Sequence, residues 1–107
     1  RLVTVQAAVT VRGANKLTLN RNLFEPDREV PLDINLTLSS NRQERMDVYD
    51  LAGVHLGKLS EDLYNAGWNT YYWNGRLPNG MLAGSGVYII TLHSGEFKDW
   101  KKCMIVR

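Results

Sequence analysis

The sequence has a single cysteine, Cys103, among 107 residues, which excludes an intrachain disulfide and any cysteine cluster for zinc or a redox pair. Cys103 falls in the apolar run "CMIV", where a lone cysteine behaves as a small buried hydrophobe. No apolar run approaches the ~20 residues that a helix needs to cross a bilayer, so membrane insertion is not expected. A signal-peptide start is also missing, and the chain opens at Arg1 without a methionine, as a processed or excised product would. Charge of one sign is scarce. With 13 basic and 11 acidic residues the net charge is +2, too weak a field to recruit nucleic acid. The one local excess, Lys98, Lys101, Lys102 and Arg107 against Asp99, reads as a solvated strand face.

Catalytic and ligand-binding patterns are equally sparse. Neither a nucleophile elbow nor a pair of carboxylates in a recognisable frame is present, so no enzyme activity and no cofactor are expected. His55 and His93 have no second ligand at metal-binding spacing and read as isolated surface histidines; no metal site is assigned to them. Glu25, Asp27, Glu29 and Asp33 crowd one loop with oxygens that calcium accepts, but Arg28 interrupts them and the spacing is not that of an EF-hand. The glycines of "WNGRLPNGMLAGSGVYIITL" run into a strand rather than a helix. A phosphate cradle needs a helix N-terminus there, so Gly75, Gly80, Gly84 and Gly86 are read as turn residues.

Helical spacing is also absent beyond a dozen residues, and a period of 2 takes its place nearly everywhere. "LVTVQAAVTVR" alternates Val3, Val5, Ala7, Val9 and Val11 against polar residues, and "KLTLN" resumes the pattern. "NLFEPDREVP" reads as a loop because its prolines remove ladder donors. "LDINLTLS" sends Leu32, Ile34, Leu36 and Leu38 inward, with Asp33, Asn35 and Thr37 outward. "RMDVYDLAG" and "VHLGKLS" read as a hairpin. Ser60 to Gly67 forms either one helical turn, N-capped by Ser60, or a loop. "WNTYYW", "GVYIITLHSG" and "FKDWKKCMIVR" complete the strands. About seven to eight short antiparallel strands in one chain predict an all-β sandwich of immunoglobulin or fibronectin type.

With Tyr71 and Trp73 inward, Trp68 and Tyr72 point outward. There they stack on sugars, anchor a protein partner, or are covered by a loop. Val87 and Ile89 likewise form an outward apolar strip, the mark of a contact surface.

Taken in order, "NLFEP" (Asn22 to Pro26, with Phe24), "YDLAG" (Tyr49, Asp50 to Gly53), Ala66–Gly67, "WNG" (Trp73 to Gly75), "SGVY" (Ser85 to Tyr88, with Gly86) and "KCMIVR" (Lys102 to Arg107) resemble one family. It is the immunoglobulin-like domain of flagellar hook-capping proteins (FlgD-like), found as a C-terminal module of secreted bacterial proteins. Asn74 stands where the family has an acidic residue after the tryptophan, which weakens the expectation of a charge or metal role there. The resemblance implies residues 20–107 as the sandwich, an extracellular or cell-surface location, and a non-catalytic role in secretion, attachment or assembly. Residues 1–19 then form an N-terminal strand or extension. Its alternation suits either closing its own sandwich or adding residues 2–12 to a sheet edge of a neighbouring copy, giving an oligomer or fibre. The expected partners are proteins, copies of the chain among them. The alternatives are a secretion or sorting module, and carbohydrate binding through Trp68 and Tyr72.

Overall fold

The computed structural model describes residues 15–28, 30–94 and 97–107. The donor positions Val3, Val5, Val9 and Val11 lie outside these residues. Among the described residues eight strands form: β1 (Lys16–Leu19), β2 (Leu23–Phe24), β3 (Leu32–Leu38), β4 (Arg42–Asp50), β5 (His55–Tyr64), β6 (Gly67–Trp73), β7 (Gly86–Ser94) and β8 (Phe97–Ile105). One sheet has the order β1-β3-β6 and the other β2-β8-β7-β4-β5. Their inner faces share a core, which makes the fold an immunoglobulin-like β-sandwich. Residues 16–19, grouped by sequence with the N-terminal extension, pair with β3 inside the first sheet.

The alternation of β3 does what its pattern demands. Leu32, Ile34 and Leu36 share one core with Met46, Val48, Ile90, Leu92, Cys103 and Ile105 of the facing sheet, and Leu38 is buried too. Trp73 is 2 % exposed. Its ring lies 5.9 Å from that of Phe24, and its Nε1 donates to the Arg76 carbonyl at 2.7 Å. Gly75 follows at φ +87°, and a Cβ there would stand 2.9 Å from Pro26 Cγ. Phe24, Pro26, Trp73 and Gly75 therefore form one packed corner. In the β4–β5 hairpin the Gly53 N–H donates to the Asp50 carbonyl (3.0 Å), and Asp50 Oδ1 accepts from the Val54 N–H (2.9 Å). The turn at Leu77–Gly80 closes with a 2.8 Å bond from the Gly80 N–H to the Leu77 carbonyl. Tyr88 is half-buried, and its hydroxyl donates to the Gly84 carbonyl.

Three expectations are corrected. Ser60 to Tyr64 is neither helical turn nor loop but the second half of β5, with Ser60 opposite Met46 and Tyr64 opposite Arg42. A single helical turn fixes several residues for one hydrogen bond. The extended form satisfies the backbone along β4 instead. "NLFEPDREVP" contains β2 and a 3-10 turn at Pro26–Arg28. The β2–β8 pair is parallel, unlike the other ladders among the described residues. The chain crosses from β1 to the second sheet within residues 20–22 without reversing, so it meets β8 running the same way. Bonds from the Met104 N–H to the Asn22 carbonyl and from the Val106 N–H to the Phe24 carbonyl hold it there.

The acidic loop is engaged by arginines. Glu25 pairs with Arg28 at 3.2 Å and Asp27 with Arg107 at 3.7 Å. Asp33 lies on β3, and Glu29 is outside the described residues.

One core position departs from the apolar pattern. Glu44 is buried, with Arg42 Nε 3.9 Å away, and neither carboxylate oxygen has a hydrogen-bond partner among the described residues. Burial raises its pKa above 4.5, while the nearby Ser94 hydroxyl and Arg42 pull the other way. The folded chain thus holds this proton more tightly than the unfolded chain does. Between the two pKa values the folded state binds more protons, so the contribution to stability falls as pH rises above the ordinary carboxylate range. Glu44→Met is expected to stabilise the domain by about 1–2 kcal/mol near neutral pH. In urea titrations the gain should shrink on acidification; a gain that does not change with pH would show that packing, not charge, produces it.

Candidate functional site

Alternation along β4, β7 and β8 decides what the five-stranded sheet shows to solvent. With Cys103 and Ile105 buried, Lys98, Trp100, Lys102 and Met104 of β8 point out. They stand opposite His93, Thr91, Ile89 and Val87 of β7. Beyond β7 come Arg45, Asp47 and Tyr49 of β4, opposite His93, Thr91 and Ile89. Glu61, Lys58 and His55 of β5 complete the rows, and Leu23 of β2 lies opposite Met104 at the other edge.

The face divides into two chemistries. One half is mainly apolar around Lys102: Trp100 is 55 % exposed and Met104 48 %, with Leu23 exposed and Val87 and Ile89 half-buried beside them. The other half is organised by Asp47, whose side chain is only 4 % exposed although it sits on the outer face. Arg45 Nε donates to both Asp47 oxygens at 3.1 Å, and His55 Nε2 lies 3.0 Å from Oδ1. His93 Nε2 stands 3.9 Å from Oδ2. The Tyr49 and His55 rings are 5.0 Å apart. Together with Asp47 and Arg45 these side chains line a shallow basin of about 440 Å³.

His55 and His93 are therefore not isolated, as their sequence positions implied; they converge on one carboxylate across β5, β4 and β7. The two imidazoles approach different oxygens of Asp47, and Arg45 already spans both. Among the described residues no group of three or more His, Cys, Asp or Glu gathers for a metal ion. The arrangement pins the orientation of side chains on a surface.

The other predicted residues separate onto the opposite sheet. Trp68 and Tyr72 are 66 % and 65 % exposed on the outer face of β6, with no loop over them among the described residues. Tyr71 turns inward, and its hydroxyl donates to the Leu59 carbonyl at 3.1 Å. Trp100, Met104, Leu23 and Asp47 were not singled out from sequence, although inward Cys103 and Ile105 already imply an outward Trp100 and Met104.

No protein-family model matches the chain, and no curated protein does. Its fold recurs in two solved bacterial proteins. PorZ, an essential bacterial surface component of the type-IX secretion system of human oral-microbiomic Porphyromonas gingivalis, aligns with a TM-score of 0.57 and 14 % identity. The alignment covers 94 % of this chain and 12 % of PorZ. Dimeric latent PorU from Porphyromonas gingivalis aligns with a TM-score of 0.63 and 17 % identity, over 84 % of this chain and 9 % of PorU. At these identities the likeness is one of fold, and this chain matches a small part of each protein.

Proposed function

We propose that the chain is a non-catalytic, FlgD-like binding module of a secreted or surface-exposed bacterial protein, and that the outer face of its five-stranded sheet docks a protein. The exposed Trp100 and Met104, with Lys102 between them and Lys98 at one end, continued by Val87, Ile89 and Leu23, carry this reading. Exposed aromatic and methionine side chains bordered by charge are the composition of an interface core with its rim. The location is supported by the role of PorZ at the bacterial surface, and the modular character by the 12 % and 9 % of PorZ and PorU that this fold occupies. The place of PorZ in the type-IX secretion system favours a secretion or sorting module as the specific form of this role. Assembly into a fibre through residues 2–12 remains part of the proposal. Among the described residues no helix is long and apolar enough to cross a membrane.

A photo-crosslinking phenylalanine analogue in place of Trp100 is expected to give discrete protein adducts in intact cells of the source bacterium. The same analogue in place of Leu51, exposed in the β4–β5 turn, should give none. Equal adducts at both positions, or none at Trp100, would remove the sheet face as the docking surface. A second reading, carbohydrate binding through Trp68 and Tyr72, is supported by the outward exposure of both rings.

A further inference from the structure

We propose that the outer face of the three-stranded sheet binds an extended neutral glycan, with Trp68 and Tyr72 stacking on sugar rings and the Asn35 amide donating to a hydroxyl between them. This rests on the carbohydrate reading and adds to it the polar subsite and the charge class of the ligand. The face is a grid of three rows. Lys16, Thr37 and Trp68 form the first, and Thr18, Asn35 and Thr70 the second; Asp33 and Tyr72 form the third. Trp68 and Tyr72 are four residues apart on one strand, about 13 Å, the reach of a short oligosaccharide. Between them lie hydroxyls and an amide rather than apolar side chains. A protein interface of this size calls for a contiguous apolar centre, which this face lacks. A polyhydroxylated chain matches it: ring faces for the aromatics, hydroxyls for the threonines and the amide.

Asn35 marks the middle of the site. It points outward on the central strand and is only 9 % exposed. Thr70 Oγ1 donates to its Oδ1 at 2.9 Å, which fixes the amide plane and turns Nδ2 away from Thr70. Among the described residues Nδ2 has no hydrogen-bond partner. A donor held in one orientation by its neighbour is ready to bind an acceptor without further ordering. The only charged side chains on the grid are Lys16 and Asp33, which stand in opposite corner rows and cancel, so the field selects neither an anionic nor a cationic glycan. Tyr72 also borders a groove of about 300 Å³ lined by Val30, Pro31 and Asn74, which extends the platform past the third row.

The test is affinity electrophoresis of the full chain in gels holding hydroxyethylcellulose, laminarin or xylan, with urea midpoints to confirm that each variant is folded. At least one gel is expected to retard the parent chain. Trp68→Ala and Tyr72→Ala should each weaken retardation about tenfold or more, the loss expected of a central aromatic anchor. Thr70→Val keeps the side-chain shape but frees the Asn35 amide, and should weaken it about fivefold. Trp100→Ala, on the opposite sheet, should leave it unchanged. Parent-level retardation in Thr70→Val overturns the Asn35 subsite while the carbohydrate reading stands. No retardation in any gel, or retardation lost only in Trp100→Ala, overturns both.

Discussion

Replacing Trp73 with alanine is expected to cost about 3–5 kcal/mol, a large share of the ~5–15 kcal/mol that holds a small domain together. Three losses add at this position. The indole is the largest buried side chain, its ring rests against Phe24 at 5.9 Å, and its Nε1 satisfies the Arg76 carbonyl. Removing it leaves a void at the corner where Pro26 and Gly75 meet, a corner closed too tightly to collapse. Urea unfolding followed by far-ultraviolet circular dichroism measures the change directly. Trp73→Phe should cost about 1–2 kcal/mol, since a ring remains against Phe24 and the Arg76 bond is lost. Trp68→Ala, on the exposed side of the same strand, should stay within about 0.5 kcal/mol of the parent. If Trp73→Ala falls in that range too, the ring does not anchor the core.

Gly57→Ala is expected to destabilise the domain by about 2–4 kcal/mol, combining backbone strain with overpacking. Gly57 lies inside β5, opposite Val48 and beside a register shift between Val48 and Tyr49. Its φ is +136°, and a Cβ would meet Pro78 Cγ at 2.5 Å and Pro78 Cβ at 2.6 Å. The turn at Leu77–Gly80 therefore rests on the backbone of β5 through Pro78. Gly53→Ala separates the two causes: its φ is +89°, but nothing stands within 4 Å of the added carbon. It should cost only the strain, about 1 kcal/mol. A Gly57→Ala/Pro78→Ala double variant should recover part of the difference. Equal losses at Gly53 and Gly57 would mean that the Pro78 contact contributes nothing.

How far the chain can be read without its structure depends on whether the deciding contact is local. The inward leucines of β3 and the outward Trp68 and Tyr72 follow from alternation along one strand, and the structure places them so. The β4–β5 hairpin follows from Tyr49 to Gly53 for the same reason. Ser60 to Tyr64 misleads because a capping serine and two acids are local helix signals, whereas the ladder to β4 that overrides them pairs residues such as Ser60 and Met46. The Asp47 cluster was out of reach on different grounds. His93 approaches Asp47 only because β7 lies beside β4, and nothing in "GVYIITLHSG" specifies that neighbour. The parity of Arg45, Asp47 and Tyr49 was legible; the strand order was not. Glu44 shows the converse: its place on the inward face of β4 is legible from the period, and its burial without a bonded partner is visible only once the sandwich closes.

Cys103 has a practical consequence. It is 1 % exposed, and burial pushes its thiol up to about 11, so it stays protonated and covered while the sandwich is closed. Thiol reagents act on the thiolate. A second cysteine set on either outer face would then be the group that takes the label, and dyes or spin probes can report on each face separately with the native cysteine left in place.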